Sequence, residues 1–192
     1  MVHSSTSEGD GESSAQRLLS LMTVAIRLTV NGVDHPLTVD PRRTLLDCLR
    51  ENLGLMGAKK GCDHGQCGAC TVVAGGVRIN SCLSLAALHD GEEVSTIEGL
   101  GAAGALHPLQ EAFLAHDALQ CGFCTPGQVM SALAMLEEAG DPSWVSEDLL
   151  TPGPLSDDEI RERMGGNLCR CACYPNILAA IRDVILSRAR GS

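Results

Sequence analysis

The sequence has few aromatic residues, few positive charges and no long apolar run. Aromatic residues make up 2% of its 192 positions, so the core must be built from Leu, Val, Ile, Ala and Met, which the hydrophobic content of 44% allows. The 14 Lys and Arg residues face 24 Asp and Glu residues, which gives a net charge of −10. A chain this acidic, without a basic stripe, is not expected to bind nucleic acid or an anionic membrane electrostatically.

The chain is also expected to stay out of the membrane and the secretory pathway. No apolar run is long enough to span a bilayer, and residues 1–22, which are polar as far as Gln16, are predicted to be a disordered tail. The apolar patch Leu18–Met22 follows a single Arg and lacks the flanks of a signal peptide. We therefore predict a cytoplasmic protein whose ten cysteines are metal ligands or core residues and not disulfides.

The most informative stretch runs from Gly61 to Cys82. Four cysteines follow the spacing C-x4-C-x2-C-x11-C, namely Cys62, Cys67, Cys70 and Cys82. This is the plant-type spacing for a [2Fe–2S] cluster, a small inorganic group that requires soft thiolate donors on all sides. The interspersed glycines are expected to allow positive φ angles and to let backbone amides approach the sulfurs; they are Gly61, Gly65 and Gly68.

Other interpretations of this stretch fit less well. A structural zinc site usually takes paired C-x2-C knuckles, and a disulfide framework needs an oxidising compartment. His64 lies inside the loop, but a Rieske centre needs two histidines in place of two cysteines, and four cysteines are already available. We therefore predict that His64 is not a ligand.

A second group of cysteines lies in the other half of the chain. Cys121 and Cys124 precede one predicted helix, and Cys169 and Cys171 precede another. Helix N-termini favour thiolate charge, so the two pairs could meet and hold one cluster. The spacing by itself also allows zinc, and it does not exclude Cys173 as the ligand in place of a neighbouring thiol.

Hydrophobic periodicity predicts an α+β chain with two parts. Strands are expected at residues 24–30, 33–39, 71–74, 77–79 and 93–97, with a helix from Thr44 to Leu53 across the sheet. A Gly-rich shift near residue 100 marks a boundary between domains at 23–99 and 100–192. The second part has four amphipathic helical patterns, which predict a small all-α bundle.

Three runs together identify the chain as similar to a known family. They are Gly61-Cys-Asp-His-Gly-Gln-Cys-Gly-Ala-Cys70, Gln120-Cys-Gly-Phe-Cys-Thr-Pro-Gly127 and Gly166-Asn-Leu-Cys-Arg-Cys171. They resemble the iron–sulfur subunit of the molybdenum hydroxylases, the xanthine dehydrogenase, aldehyde oxidoreductase and carbon monoxide dehydrogenase group. The resemblance implies a plant-ferredoxin-like β-grasp domain followed by a four-helix bundle domain.

The resemblance also implies the ligands and the cofactors. It assigns one [2Fe–2S] cluster to Cys62, Cys67, Cys70 and Cys82, and a second to Cys121, Cys124, Cys169 and Cys171. It places Gln120 and Cys121 near a molybdopterin, in its cytosine dinucleotide form, on a large partner subunit. A medium partner subunit would hold FAD. Cys173 has no counterpart among the ligands of the family and is treated as non-ligating.

The function that the resemblance implies is electron transfer. Electrons would pass from the molybdopterin site through the bundle cluster and the ferredoxin-like cluster to FAD, with no substrate-converting site on this chain. The form of the cluster loop at Asp63–Gln66 favours an aldehyde or an N-heteroaromatic compound as the substrate of the partner. Two alternatives remain at this point: a free-standing ferredoxin-like carrier, and a zinc-stabilised interaction module.

Overall fold

The structure is a computed structural model that describes residues 22–101, 104–138 and 155–190. Its first part is a mixed five-stranded sheet in the order β2-β1-β5-β3-β4. The strands are β1 (Val24–Val30), β2 (Val33–Val39), β3 (Thr71–Ala74), β4 (Val77–Asn80) and β5 (Glu93–Ser95). β1 pairs in parallel with β5, and the other neighbours are antiparallel. We call this part, residues 22–99, the sheet half.

The β1–β2 hairpin forms where alternation and the Asn31-Gly32 turn predict it. Both turn residues have positive φ, 52° for Asn31 and 76° for Gly32, as a tight hairpin turn requires. β2 lies at the edge of the sheet, so Pro36 removes no hydrogen bond from an interior strand. The alternation of residues 33–39 predicts that Val33 faces inward with Leu37 and Val39, but Val33 is exposed because it opens the edge strand beside the turn.

One short helix covers the sheet. Helix α1 (Leu45–Asp47) is capped by the Thr44 hydroxyl, which accepts from the Asp47 N–H at 3.0 Å, and it continues as one wider π turn, Cys48–Asn52. Its Leu45, Leu46 and Leu49 are fully buried against β1, β3 and β5. The predicted helix is therefore present, but its second turn is not a regular α turn.

Four helices make up the rest of the described chain, which we call the helical half. They are α2 (Pro108–Ala115), α3 (Thr125–Glu138), α4 (Asp157–Met164) and α5 (Tyr174–Arg190). α3 contacts α2 and α4, and α5 contacts the same two helices. The α+β class is as predicted, whereas a bundle arrangement of the four helices stays a prediction. Among the described residues, no helix is both long and apolar enough to cross a bilayer.

The residue types predict that Thr125 caps α3 and that Ser156 caps α4, and the structure confirms only the second cap. Thr125 does not cap α3, because its buried Oγ1 has no hydrogen-bond partner; Cys124 precedes the helix, and its carbonyl accepts from the Gln128 N–H at 2.9 Å. Ser156 does cap α4 by accepting from the Glu159 N–H at 3.2 Å. The predicted tail, residues 1–22, lies outside the described residues except for Met22.

A buried ion-pair network joins the halves. Glu138, at the end of α3, is 8% exposed and lies 3.2 Å from Nε of Arg78 on β4. Its other oxygen lies 3.9 Å from Arg163 on α4. Removing one member of a buried ion pair leaves an uncompensated charge, which is far more costly than losing an exposed pair.

We expect Glu138→Gln to lower the free energy of unfolding by about 3 kcal/mol, because Arg78 would then be left without its carboxylate. Urea denaturation of the full chain measures this change. Asp183→Asn is the matched control, since the side chains of His116 and Asp183 are 34% and 55% exposed and pairs open to solvent contribute about 0–1 kcal/mol. Equal losses for the two variants would contradict the role of the Glu138 network.

Helix α2 is capped by a histidine. His107 Nδ1 accepts from the Leu109 N–H at 3.2 Å, while Gln110 Oε1 accepts from the His107 N–H at 2.9 Å. Burial, assisted by the positive charge of Arg188, lowers the pKa of His107 from its ordinary 6.5. The cap requires the neutral ring, because a protonated Nδ1 cannot accept a hydrogen bond.

This cap should make the stability depend on pH. Since the folded-state pKa of His107 lies below the unfolded value of 6.5, its contribution is complete above that value and is lost as the pH falls through the folded pKa. We expect His107→Asn, which caps without titrating, to lose less stability than the wild type between about pH 7 and about pH 5. Thermal denaturation at several pH values tests this, and parallel curves for the two proteins would contradict it.

Candidate iron–sulfur centres

The first set of cysteines lies between α1 and β3 and just after β4. Cys70 immediately precedes β3, and Cys82 is the second residue after β4. Because β3 and β4 are antiparallel, with Thr71 opposite Asn80, the residues flanking this pair come together. The Ser81 hydroxyl donates to the Cys70 carbonyl at 2.7 Å and closes the junction.

The glycines of the loop act in two ways. Gly65 and Gly68 have the predicted positive φ angles, 78° and 66°. Gly61 has a different role, since a Cβ atom there would lie 2.9 Å from Cys67 Sγ. The missing side chain of Gly61 therefore leaves room for a thiol.

The environment of the first set perturbs its thiols in opposite directions. Backbone N–H groups of His64, Gln66 and Cys67 lower the pKa of Cys62 to about 6, and the Gln66 N–H donates to Cys62 Sγ at 3.3 Å. Burial raises the pKa of Cys70 to about 11. A backbone that stabilises one thiolate, with a buried thiol nearby, suits a cationic centre that deprotonates its ligands on binding.

The second set of cysteines lies at two helix starts. Cys121 and Cys124 precede α3, while Cys169, Cys171 and Cys173 precede α5. Ala172 takes a positive φ of 59° and curls the chain between the last two of these thiols. The Tyr174 hydroxyl accepts from the Cys169 N–H at 2.8 Å. Both pairs therefore occupy the helix N-termini that the sequence predicts.

The thiols of the second set also interact. Burial raises the pKa of Cys124 to about 12, and contact with Cys169 adds to the rise. Burial opposes ionisation of Cys169 too, but hydrogen bonds from the Cys173 N–H and the Cys124 thiol leave its pKa lowered. Cys173 is buried in the same apolar cluster as Cys169 and hydrogen-bonds to it, so it lies at the site.

Several thiols within each set are in contact. Hydrogen bonds join Cys62 to Cys67, Cys70 to Cys82, and Cys169 to both Cys124 and Cys173. Across residues 22–101, 104–138 and 155–190, no three His, Cys, Asp or Glu side chains form a group that could hold one metal ion. A [2Fe–2S] cluster takes two protein donors on each iron, whereas zinc takes four donors around one centre. Each set therefore offers several neighbouring thiols, as a two-iron cluster requires.

Both sets open on one cavity of about 440 Å³. Its lining includes Cys67 from the first set and Cys121, Cys124 and Cys169 from the second. The Leu168 N–H donates to the Cys67 carbonyl at 2.9 Å, so the backbone of one set is bonded to the backbone beside the other. The two candidate centres are neighbours.

Sequence reasoning missed several polar residues at these sites. Asn80 Nδ2 donates to the Gly65 carbonyl at 3.2 Å, and Asn80 Oδ1 lies 3.8 Å from Cys70 Sγ. Asn167 and Gln128 are buried between the halves. Asn167 lies inside one of the three motif runs, so the sequence contained a signal for its importance. Asn80 and Gln128 lie outside these runs, and no sequence pattern points to them. His64 bonds through Nδ1 to the Cys62 carbonyl, which leaves its predicted role as a non-ligand unchanged.

Comparison with known families matches both parts of the chain. Residues 28–96 match the 2Fe-2S iron-sulfur cluster binding domain. Residues 96–182 match the [2Fe-2S] binding domain. Each match contains one of the two cysteine sets.

Curated relatives give the family. The aldehyde oxidoreductase iron-sulfur-binding subunit PaoA of Escherichia coli (strain K12) is 59% identical over 160 residues, covering 82% of this chain and 70% of the relative. The xanthine dehydrogenase iron-sulfur-binding subunit of Escherichia coli O157:H7 is 42% identical, covering 84% of this chain and 94% of the relative. The chain belongs to the iron–sulfur subunits of the molybdenum hydroxylases.

Solved structures agree with this assignment of the iron–sulfur subunit. Quinoline 2-oxidoreductase from Pseudomonas putida 86 contains a chain with a TM-score of 0.76 and 42% identity, covering 88% of this subunit and 96% of that chain. Aldehyde oxidoreductase from Desulfovibrio gigas matches with a TM-score of 0.76 and 36% identity, over 88% of this subunit and 18% of that chain. The predicted membership of an oxidoreductase family is confirmed.

Proposed function

We propose that this iron–sulfur subunit connects a molybdopterin site on a large partner subunit to FAD on a medium partner subunit, carrying electrons between them. A [2Fe–2S] cluster supplies reversible one-electron redox chemistry when bound. The observation that carries the proposal is that both cysteine sets open on one cavity and are joined by the Leu168–Cys67 hydrogen bond. A zinc-stabilised module or a free-standing carrier would not need two such neighbouring sets.

The proposed ligands follow the two sets. In the sheet half they are Cys62, Cys67, Cys70 and Cys82; in the helical half they are Cys121, Cys124, Cys169 and Cys171. The sets correspond to a proposed division into domains at residues 23–99 and 100–192. The protein contributes backbone donors to the sulfurs and apolar surroundings, which are two of the features by which a protein tunes such a centre.

The surface around the second set supports contact with a large partner. Gln120 and Cys121 are exposed, and Phe123, Leu168 and Tyr174 beside them are each about half exposed. Apolar side chains grouped on a surface mark interaction sites. We propose that molybdopterin, in its cytosine dinucleotide form, approaches Gln120 and Cys121 from the partner.

The first set has its own exposed apolar residues. Leu83, which follows Cys82, is 64% exposed, and Leu88 is 71% exposed. A medium subunit that holds FAD would contact the chain here, on the side of the first set. The substrate of the complex is proposed to be an aldehyde or an N-heteroaromatic compound, in line with the names of the relatives, which include aldehyde oxidoreductase and nicotine 6-hydroxylase.

Metal analysis tests the proposal. The full chain should contain about four iron atoms and about four acid-labile sulfides, and dithionite reduction should give two distinct EPR signals. The complex isolated from its native source should contain molybdenum and FAD in addition. About two iron atoms with bound zinc, or oxidation of aldehydes by this chain alone, would overturn the assignment.

A further inference from the structure

The loops that hold the two cysteine sets are bonded to each other through main-chain atoms. The Leu168 N–H donates to the carbonyl of Cys67 at 2.9 Å. Leu168 is covalently followed by Cys169, so one hydrogen bond and one residue separate the backbone of a proposed ligand of the first cluster from that of a proposed ligand of the second.

A buried asparagine holds this connection in place. Asn167 is 6% exposed, and its Nδ2 donates to the Gly68 carbonyl at 3.0 Å and to Thr71 Oγ1 at 3.3 Å. Gly68 belongs to the loop that carries Cys67 and Cys70, and Thr71 is the first residue of β3 after that loop. Because Asn167 precedes Leu168, its side-chain hydrogen bonds anchor the backbone next to the donor of the Leu168–Cys67 hydrogen bond.

Asn167 is itself fixed from the helical half. Gln128, on α3, is 1% exposed, and its Nε2 donates to the Asn167 carbonyl at 2.8 Å. The Asn167 N–H donates to the Met164 carbonyl at 3.0 Å at the end of α4. Buried amides that satisfy their donors and acceptors in this way hold one arrangement and disfavour others.

The backbones of the two loops lie directly against each other at this junction, so there is no room for side-chain packing to replace these hydrogen bonds. A Cβ atom on Gly68 would lie 2.5 Å from the Gly166 carbonyl oxygen, and a Cβ atom on Gly127 would lie 2.3 Å from the Gly68 carbonyl oxygen. No side chain fits between the loops at these points. Their spacing is therefore determined by main-chain contact and by the hydrogen bonds of Asn167.

We propose that Asn167 is the positioning residue for electron transfer between the two cysteine sets, and that it acts by holding the Cys67–Leu168 contact. The inference rests on the proposed function. One electron passes from the set in the helical half, which is oxidised, to the set in the sheet half, which is reduced. No bond breaks and no proton moves along the connecting backbone.

The test compares Asn167→Ala with Asn176→Ala in the full-length chain loaded with both clusters. Asn176 also donates a side-chain hydrogen bond to a carbonyl, that of Asp117 at 3.1 Å, but it is exposed and away from the junction. The readout is the magnetic splitting of the two EPR signals in the fully reduced protein, which falls with the cube of the distance between the spins. We expect Asn167→Ala to keep both signals at full intensity and to reduce the splitting, whereas Asn176→Ala leaves the splitting unchanged.

A merely structural role would give a different result. If Asn167→Ala lowers the melting temperature but leaves the splitting unchanged, or if the wild type shows no splitting, the inference is overturned. If Asn167→Ala does not fold, Gln128→Met and Thr71→Val decide, since each removes one hydrogen bond from Asn167. A smaller splitting in these variants supports the inference, and an unchanged splitting overturns it.

The same experiment separates this inference from the proposed function. A wild-type chain with two signals establishes both centres whatever the Asn167 variant does. A wild-type chain with one signal and half the iron would instead overturn the proposed function, and the inference with it.

Discussion

Replacing Cys82 by serine should reduce the iron content of the chain from about four atoms to about two and remove one of the two EPR signals. A serine hydroxyl is a harder and more weakly acidic donor than a thiol, so it does not replace a thiolate on a cluster that prefers soft ligands. Cys171→Ser should remove the other signal instead. Iron, sulfide and EPR measurements on both variants assign each signal to one cysteine set.

Two further cysteines provide the controls for this experiment. Cys48 is fully buried in the core of the sheet half, and burial raises the pKa of its thiol, so Cys48→Ala should retain about four iron atoms. Cys173→Ala should retain them as well, although Cys173 hydrogen-bonds to Cys169. If Cys173→Ala loses a signal that Cys171→Ser retains, then Cys173 and not Cys171 is the ligand.

The second large effect is expected at Gly127, in the first turn of α3. A methyl group there would lie 2.3 Å from the Gly68 carbonyl oxygen and 3.1 Å from the Ala69 Cα atom. Both neighbours are backbone atoms, so no side-chain rotation relieves the overlap. We expect Gly127→Ala to destabilise the chain by about 3 kcal/mol, at the upper end of the usual cost of overpacking, and to lower the yield of protein that carries both clusters.

Gly166→Ala is the matched control for this substitution. Gly166 lies on the other side of the same junction, but a Cβ atom there meets nothing within 4 Å. Its effect on the free energy of unfolding should stay within about 0.5 kcal/mol, as for an ordinary surface substitution. Urea denaturation of both variants, followed by iron analysis, provides the measurement. Equal stability of the two variants would show that the junction can open to admit a methyl group.

Local patterns predicted most of the secondary structure because the interactions that form it are local. The alternation of residues 24–30 and the Asn31-Gly32 turn predict a hairpin that the structure contains with the same limits. The predictions were wrong where a distant contact or the edge of the sheet decides the surroundings of a residue. Val33 is exposed because β2 has no neighbour beyond it, and Thr125 does not cap α3 although its residue type favours that role.

The candidate centres show the same division between features that local patterns predict and features that distant contacts decide. Cysteine spacing identified both sets, because a small cluster demands several thiolates within a short stretch. It could not identify Gln128 or Asn80, since an amide in a helix or strand has no distinctive pattern before its partner is known. It also could not show that His107 caps α2, because histidine is not a usual cap residue.

By itself, the sequence indicated the chemistry of this protein: which cysteines are the candidate iron ligands, that the chain has an α+β part and a helical part, and the family to which both belong. These properties depend on residue type and on short spacings. Only the tertiary structure decided that the two cysteine sets share one cavity and that Asn167 bridges them. Asn167 and Gly68 are 99 positions apart, and a contact at that separation follows from the packing of β3 against α3, which leaves no periodic trace in the chain.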